Sequence, residues 1–269
     1  MDELRYFELV RLQSLVYCQL YIFMPEDKEL LNPIGFGSGF LADYKGKPFL
    51  ITADHVLHRD DYENTEIRTG NEYIIAIVNN VNNIDDNIST VLTPLSEFYY
   101  AERINLTNAN EDLIDISVCL LKNINFKYPF LTHEISVYGN IIQPAGIEKQ
   151  FYDTSQFTEP TNEQKYSICG VVRNDIVGIK GIRTNALYSN ISYNGAARNY
   201  FVFEYPDEII EDDWVGLSGA PMFDYEGNIV GVGHRVLGNG IWVTPIKYAK
   251  MLMESAVTNL SLNEHPTKL

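Results

Sequence analysis

The sequence predicts an all-β fold of the barrel or sandwich class, with helix confined mainly to the two ends. Three observations carry this. Short runs rich in β-branched and aromatic residues recur at regular spacing, bounded by Gly, Asn and Asp turns. Tyr (18) and Phe (13) are abundant, and both favour half-buried pleated surfaces. Helical periodicity is confined to the neighbourhood of the termini, so a layered α/β arrangement with alternating helices is not indicated. Periodicity alone does not separate a barrel from a sandwich.

The elements follow in order. Leu4, Phe7, Leu9 and Leu12 recur near helical spacing, which predicts a short N-terminal helix over 2–12. Residues 15–23 read as a strand rich in Val, Tyr and Ile. Gly35 to Leu41 and Pro48 to Thr52, joined through Tyr44-Lys45-Gly46-Lys47, read as a hairpin. Strands are expected at 72–79 and 113–121, and the Asn/Asp-rich stretch 79–90 reads as a surface loop. The stretch 122–134 is expected to cross between two halves. Further strands are expected at about 135–142, 166–173, 176–182, 200–205, 221–224, 228–234 and 241–244. Pro245 opens a helix over about 246–260, because Ile246, Ala249, Met253, Val257 and Leu260 repeat at helical spacing.

Composition excludes several classes of function. The formal net charge is −16 and no Lys/Arg-rich stretch is present, so no nucleic-acid partner and no anionic membrane surface is expected. Cys18, Cys119 and Cys169 are widely spaced and form no C-x-x-C pair, so neither a disulfide framework nor a metal site is expected. The N-terminus is acidic and interrupted by charge, unlike an export signal, and a cytoplasmic location is the expectation.

Three segments carry chemistry. Thr52-Ala53-Asp54-His55 places a histidine directly after an apolar run. Asp115-Ile116-Ser117-Val118 sets a carboxylate among Ile114, Ile116, Val118, Leu120 and Leu121. Gly216-Leu217-Ser218-Gly219-Ala220-Pro221 sets a serine in a glycine-bounded turn. A hydroxyl is a poor nucleophile until a base takes its proton, and the base needs a third group to fix its tautomer. A carboxylate inside so apolar a strand is costly to bury unpaired, and the His55 ring is its natural partner. Glycine suits a place where backbone N–H groups converge and a substrate backbone comes close. Asp112 is the alternative carboxylate, on the other face of a shared strand. His58, in a polar His-Arg-Asp-Asp stretch, is expected to be solvated.

These motifs, with Gly35-Phe36-Gly37-Ser38-Gly39-Phe40 before the histidine and Ile229-Val230-Gly231-Val232 after the serine, resemble the trypsin/chymotrypsin-like serine proteases, especially short bacterial forms, over roughly residues 34–246. The resemblance implies two packed antiparallel β-barrels of the chymotrypsin type. The first, residues 1–124, would supply His55 and Asp115. The second, residues 125–269 with the C-terminal helix, would supply Ser218. The amides of Gly216 and Ser218 would form the oxyanion hole, and no cofactor is implied. Ala220 replaces the usual second glycine after the serine. Leu217 replaces the acidic residue that pairs with a freshly cut N-terminus in digestive and clotting enzymes, so their zymogen switch is not expected. Either the enzyme is made competent, or a partner protein or ligand orders its loops.

Specificity is less legible. Asp212, six residues before Ser218, matches a trypsin pocket base and would favour Arg or Lys. Gly233, His234, Arg235 and Val236 should lie near one pocket wall and Gly240 near its base. Val236 would narrow the pocket for small residues; His234 would favour acidic ones. The expected function is a serine endopeptidase acting through an acyl-enzyme on protein or peptide substrates. Narrow specificity or activation by a partner is expected, with a bacterial defence or stress effector as one role. A non-catalytic protein-binding module on the same scaffold is the competing class, and an esterase with the same triad a third.

Overall fold

A computed structural model describes residues 3–63, 72–82, 88–101, 113–121, 134–137, 139–172, 176–177, 180–181, 184–210 and 214–264. In chain order the elements begin with helix α1 (Glu3–Val16) and strands β1 (Tyr17–Phe23), β2 (Gly35–Tyr44) and β3 (Lys47–Thr52). Two short helices follow, α2 (Asp54–Leu57) and α3 (Arg59–Glu63). Then come β4 (Ile74–Asn82), β5 (Ile88–Pro94), β6 (Phe98–Tyr100), β7 (Ser117–Leu120), β8 (Ile135–Val137), β9 (Asn140–Gln143) and β10 (Tyr152–Asp153). The second half holds β11 (Lys165–Val172), β12 (Ile176–Val177), β13 (Lys180–Gly181), β14 (Thr184–Ala197), β15 (Tyr200–Glu204), β16 (Pro221–Asp224), β17 (Ile229–Leu237) and β18 (Gly240–Pro245). Helix α4 (Lys247–Glu264) closes the series.

The protein is all-β, built on two sheets with a helix at each end. The first sheet runs β5-β4-β1-β2-β3-β7-β6, with β10 added in parallel to β2. The second is a closed barrel, β11-β14-β15-β18-β17-β16. The first sheet does not close among the described residues. β8–β9 and β12–β13 form two small antiparallel pairs. No described helix is long and apolar enough to cross a membrane.

Several expectations need correction. The expected hairpin forms from β2 and β3, with Asp43 opposite Pro48, but α1 continues to Val16, so the strand expected from 15 starts at Tyr17. The loop expected over 79–90 is not one at either flank: Asn79 to Asn82 pair with Ile88 to Val91 as β4 and β5. Asparagine is disfavoured in strands, yet the ladder wins because its apolar end, Ile75 and Ile77, is anchored in the core. β14, the longest strand, was not expected at all; its Asn, Ser and Gly residues hide the alternation. The crossing segment 122–134 lies almost wholly outside the described residues, as does the expected boundary at 124.

The core spans both halves. One buried cluster joins Leu20, Phe40, Phe49, Leu50 and Val118 of the first sheet to Phe223, Ile229 and Val232 of the barrel and to Ala249, Leu252, Met253 and Ala256 of α4. A second fills the barrel, with Tyr166, Phe203, Trp214, Leu217 and Met222.

Candidate active site

The cleft between the two sheets is assembled by backbone hydrogen bonds from the serine turn to β2. The Ser38 amide donates to the Ser218 carbonyl at 2.8 Å, and the Ser38 hydroxyl donates to the Gly216 carbonyl at 2.7 Å. The Ala220 amide closes the turn on the Leu217 carbonyl at 2.9 Å. Gly219 has φ +88°, and a Cβ there would stand 1.9 Å from the Ser38 carbonyl oxygen, so only glycine permits this contact. The glycine after Ser218 is therefore what lets the barrel press its turn against the first sheet. Gly216, φ +100°, supplies the second left-handed position. The Ser218 amide has no partner among the described residues, as an anion-binding donor requires.

Leu217 explains one departure from the expected motif. It is buried in the barrel core rather than offering a charge, and anchors the turn by packing. Ala220 is fully buried too, and its carbonyl accepts the Gly233 amide at 2.8 Å, so a methyl is accommodated where a second glycine was expected.

His55 lies in α2, directly after β3. Its Nδ1 stands 2.8 Å from Asp115 Oδ2, and its backbone amide donates to Asp115 Oδ1 at 2.7 Å. The carboxylate thus fixes both the ring and the peptide that carries it, and favours the tautomer with a proton on Nδ1. Asp115 is completely buried, just before β7, while the His55 side chain keeps 23% of its surface. Burial alone would raise the Asp115 carboxyl. The charges of His55 and His234 and their hydrogen bonds outweigh it and hold the carboxyl well below the usual range. For His55 burial acts to lower the pKa; the charge and hydrogen bond of Asp115 outweigh it and hold the imidazole above its ordinary value.

His55 and Ser218 line one cavity of about 260 Å³, with Ile168, Trp214, Val215, Leu217, Gly233, His234, Arg235, Val236 and Ile241. No hydrogen bond joins them in this state: the Ser218 hydroxyl donates instead to the His234 carbonyl at 3.5 Å, the outer limit of a hydrogen bond. Gly233, His234 and Val236 are therefore at the cavity, as expected. Gly240 begins β18 and is not part of the lining. Asp112 and Asp212 lie outside the described residues.

Sequence reasoning missed three roles, one of them for His234, which it places only at the pocket wall. His234 turns its Nδ1 to Asp115 Oδ2 at 2.5 Å, so one carboxylate oxygen meets two imidazoles. Tyr200 stacks on the His234 ring, centroids 4.6 Å apart and planes 12° from parallel, and its hydroxyl donates to the Leu113 carbonyl at 3.1 Å. Ser38 braces the serine turn. No local pattern marks these roles, because each of the three hydrogen bonds spans 87 or more residues of chain. His58 is a correction: it is buried, 1% exposed, rather than solvated. It lies four residues after Asp54, which brings its Nδ1 2.9 Å from the buried Asp54 carboxylate; Tyr62 and Ser117 hydroxyls donate to the same carboxylate.

His55, Asp115 and His234 offer donor atoms within 4.8 Å of one another, the group among the described residues that a metal ion would find. Both nitrogen–oxygen separations are hydrogen-bond lengths, and two Nδ1–H donors on one carboxylate account for them fully.

No protein-family model and no curated protein matches the chain. Among solved structures it is similar to the serine endoprotease from Yersinia pestis, at 14% identity and TM-score 0.49, over 93% of this chain and 65% of that one. It is also similar to Deg5, at 13% identity and TM-score 0.43, over 93% of this chain and 94% of that one. The fold assignment rests on the strand order and the closed barrel, not on these likenesses.

Proposed function

We propose that this chain is a serine endopeptidase that cleaves protein or peptide substrates through an acyl-enzyme. The observation that carries this is the His55 imidazole, fixed through Nδ1 by a buried carboxylate, at the wall of a cavity shared with Ser218. Substrate binding releases the Ser218 hydroxyl from the His234 carbonyl. Its Oγ attacks the scissile carbonyl carbon while its proton passes to His55 Nε2, and Asp115 stabilises the imidazolium. The Gly216 and Ser218 amides hold the oxyanion. His55 then protonates the leaving amine, and water repeats the sequence to free the acid.

The pocket side is largely apolar. Ile168, Trp214, Val215, Leu217, Val236 and Ile241 dominate it; the exposed Arg235, its guanidinium 5.3 Å from the Trp242 ring centroid, is the cation of the lining, and no carboxylate is present among the described lining. A cavity of about 260 Å³ holds one side chain rather than a larger ligand. This supports an uncharged apolar residue before the scissile bond, with the Val236 side chain limiting its size. The three cysteines are all buried free thiols, which suits a reducing compartment such as the cytoplasm. The switch of the Ser218 hydroxyl from His234 to His55 is the step at which a substrate or an activating partner would act.

The test is labelling by a fluorophosphonate, followed by a peptide panel varied at the residue before the cleaved bond. Ser218→Ala abolishes labelling, and His55→Ala slows it by several orders of magnitude, as loss of either group typically costs on the order of 10⁶-fold in turnover. Cleavage after aliphatic residues, and not after Arg or Lys, is expected. Absence of labelling in the folded wild type, alone and with cell lysate, would leave a binding module on this scaffold.

A further inference from the structure

Asp115 is served by two histidines, and the proposed chemistry uses one of them. His234 lies on β17 of the barrel, and Asp115 stands before β7 of the first sheet, 119 residues away. The two rings meet the same Oδ2, His234 at 2.5 Å and His55 at 2.8 Å, and stand 70° to each other with centroids 5.7 Å apart. His234 is 9% exposed and Asp115 is fully buried, so no solvent competes for the contact. Tyr200 is stacked on the far face of the arrangement and ties the chain just before Asp115 through the Leu113 carbonyl. The barrel therefore grips the Asp115 segment at two points, and one of them is the catalytic carboxylate itself.

We infer that His234 is a positioning residue: its Nδ1–H donates to Asp115 Oδ2 and aims the carboxylate, so that the barrel sets the orientation of a base carried by the other sheet. This rests on the endopeptidase reading of the site. Among the described residues, the groups facing the His234 ring are Asp115, His55, Tyr200 and Tyr62, the last with its ring centroid 6.4 Å away. Asp54 and Arg59 act on His55 from α2 and α3. With the His234 donor in place, the charge of Asp115 is divided between two imidazoles. Without it, the whole charge acts on His55, which becomes harder to deprotonate, and the carboxylate is free to turn.

Two substitutions separate aiming from packing. His234→Phe keeps an aromatic ring against Tyr200 and removes the donor. His234→Asn loses the stack, but its Nδ2 stands close to where Nδ1 stood and cannot titrate. In the full chain, His234→Phe lowers the fluorophosphonate labelling rate about tenfold to a hundredfold, the usual weight of a hydrogen bond to a charged group, and moves the acid limb of the rate to higher pH. His234→Asn restores most of the rate and brings the limb back toward wild type. A His234→Phe enzyme with the wild-type rate and limb, or a His234→Asn enzyme as impaired as His234→Phe, overturns the proposal. The same proteins are examined by proton NMR, which needs no activity. Wild type shows two strongly downfield imidazole N–H signals; His234→Phe keeps one, shifted, and Ser218→Ala keeps both. A single such signal in wild type overturns the proposal even where labelling succeeds. Two signals without labelling would sustain the His234–Asp115 contact while the endopeptidase reading fails.

Discussion

At the scale of single residues, Asp115 controls the charge state of the site. It holds His55 above the ordinary imidazole value of 6.5, so under the proposed mechanism the neutral base that would take the Ser218 proton predominates only above that pH. The rate of labelling should therefore fall as pH drops, with a midpoint above 6.5. The effect on stability runs the other way. A group with a raised folded pKa adds stability that is complete below its unfolded value and is lost as pH rises through the folded one. Asp115→Asn removes the charge that opposes burial, so the midpoint should fall below the ordinary value; an unchanged midpoint would assign the acid limb to another group. NMR titration of His55 beside the labelling rate reads both quantities. His55, Asp115 and Ser218 could be picked out because each sits in a distinctive local setting of apolar run, apolar strand or glycine turn. His234 reads only as a pocket-wall residue: its contact with Asp115 depends on how two sheets meet, and its neighbours along β17 give no sign of it. His58 was misjudged because the polar residues after it outweighed its i, i+4 relation to Asp54, which a helix in that place makes decisive.

At the scale of elements, α4 shows what periodicity delivers. Ile246, Ala249 and Met253 are buried as the helical spacing predicts, and Val257 and Leu260 pack against the same cluster. Leu252 and Ala256 widen the stripe beyond the residues read from sequence, since a helix lying across a sheet buries a broad face. Met253 is fully buried against the first sheet, whereas Met251 is 43% exposed. Met253→Ala should destabilise by about 2–5 kcal/mol, and Met251→Ala by no more than about 0.5 kcal/mol. For a chain of this size each kcal/mol moves the melting temperature by about 2–4 °C. Equal melting temperatures for the two variants would show that α4 is not held by this face. β14 marks the opposite limit. Its membership of the barrel comes from ladders with β11 and β15, each with a register shift, and bulged strands of mixed polarity leave little alternation to read.

At the scale of the whole molecule, the barrel has an interior of its own but also shares a core with the first sheet. Phe223, Ile229 and Val232 of the barrel pack with Phe40 and Phe49 of the first sheet, and α4, which follows the last barrel strand, lies against β3, β6 and β7. β10 pairs with β2, the Gln13 amide donates to Ser167 at 2.6 Å, and Ser38 is bonded twice to the serine turn. Removing either half would strip apolar surface from the other and orphan these polar groups, which favours one cooperative unit over two. Two sets of probes report on the halves separately. Trp214 and Trp242, the only tryptophans, lie in or beside the barrel. Cys119 lies in β7 of the first sheet, its thiol pushed up to about 12 by burial and so inert to alkylation while folded. Urea midpoints from tryptophan fluorescence and from pulsed alkylation of Cys119 should coincide, and cutting the chain before α4 should lower both together. Barrel fluorescence that changes at a urea concentration where Cys119 stays protected would divide the molecule into two folding units, and the candidate site between them would then be lost with the barrel while the first sheet stayed folded.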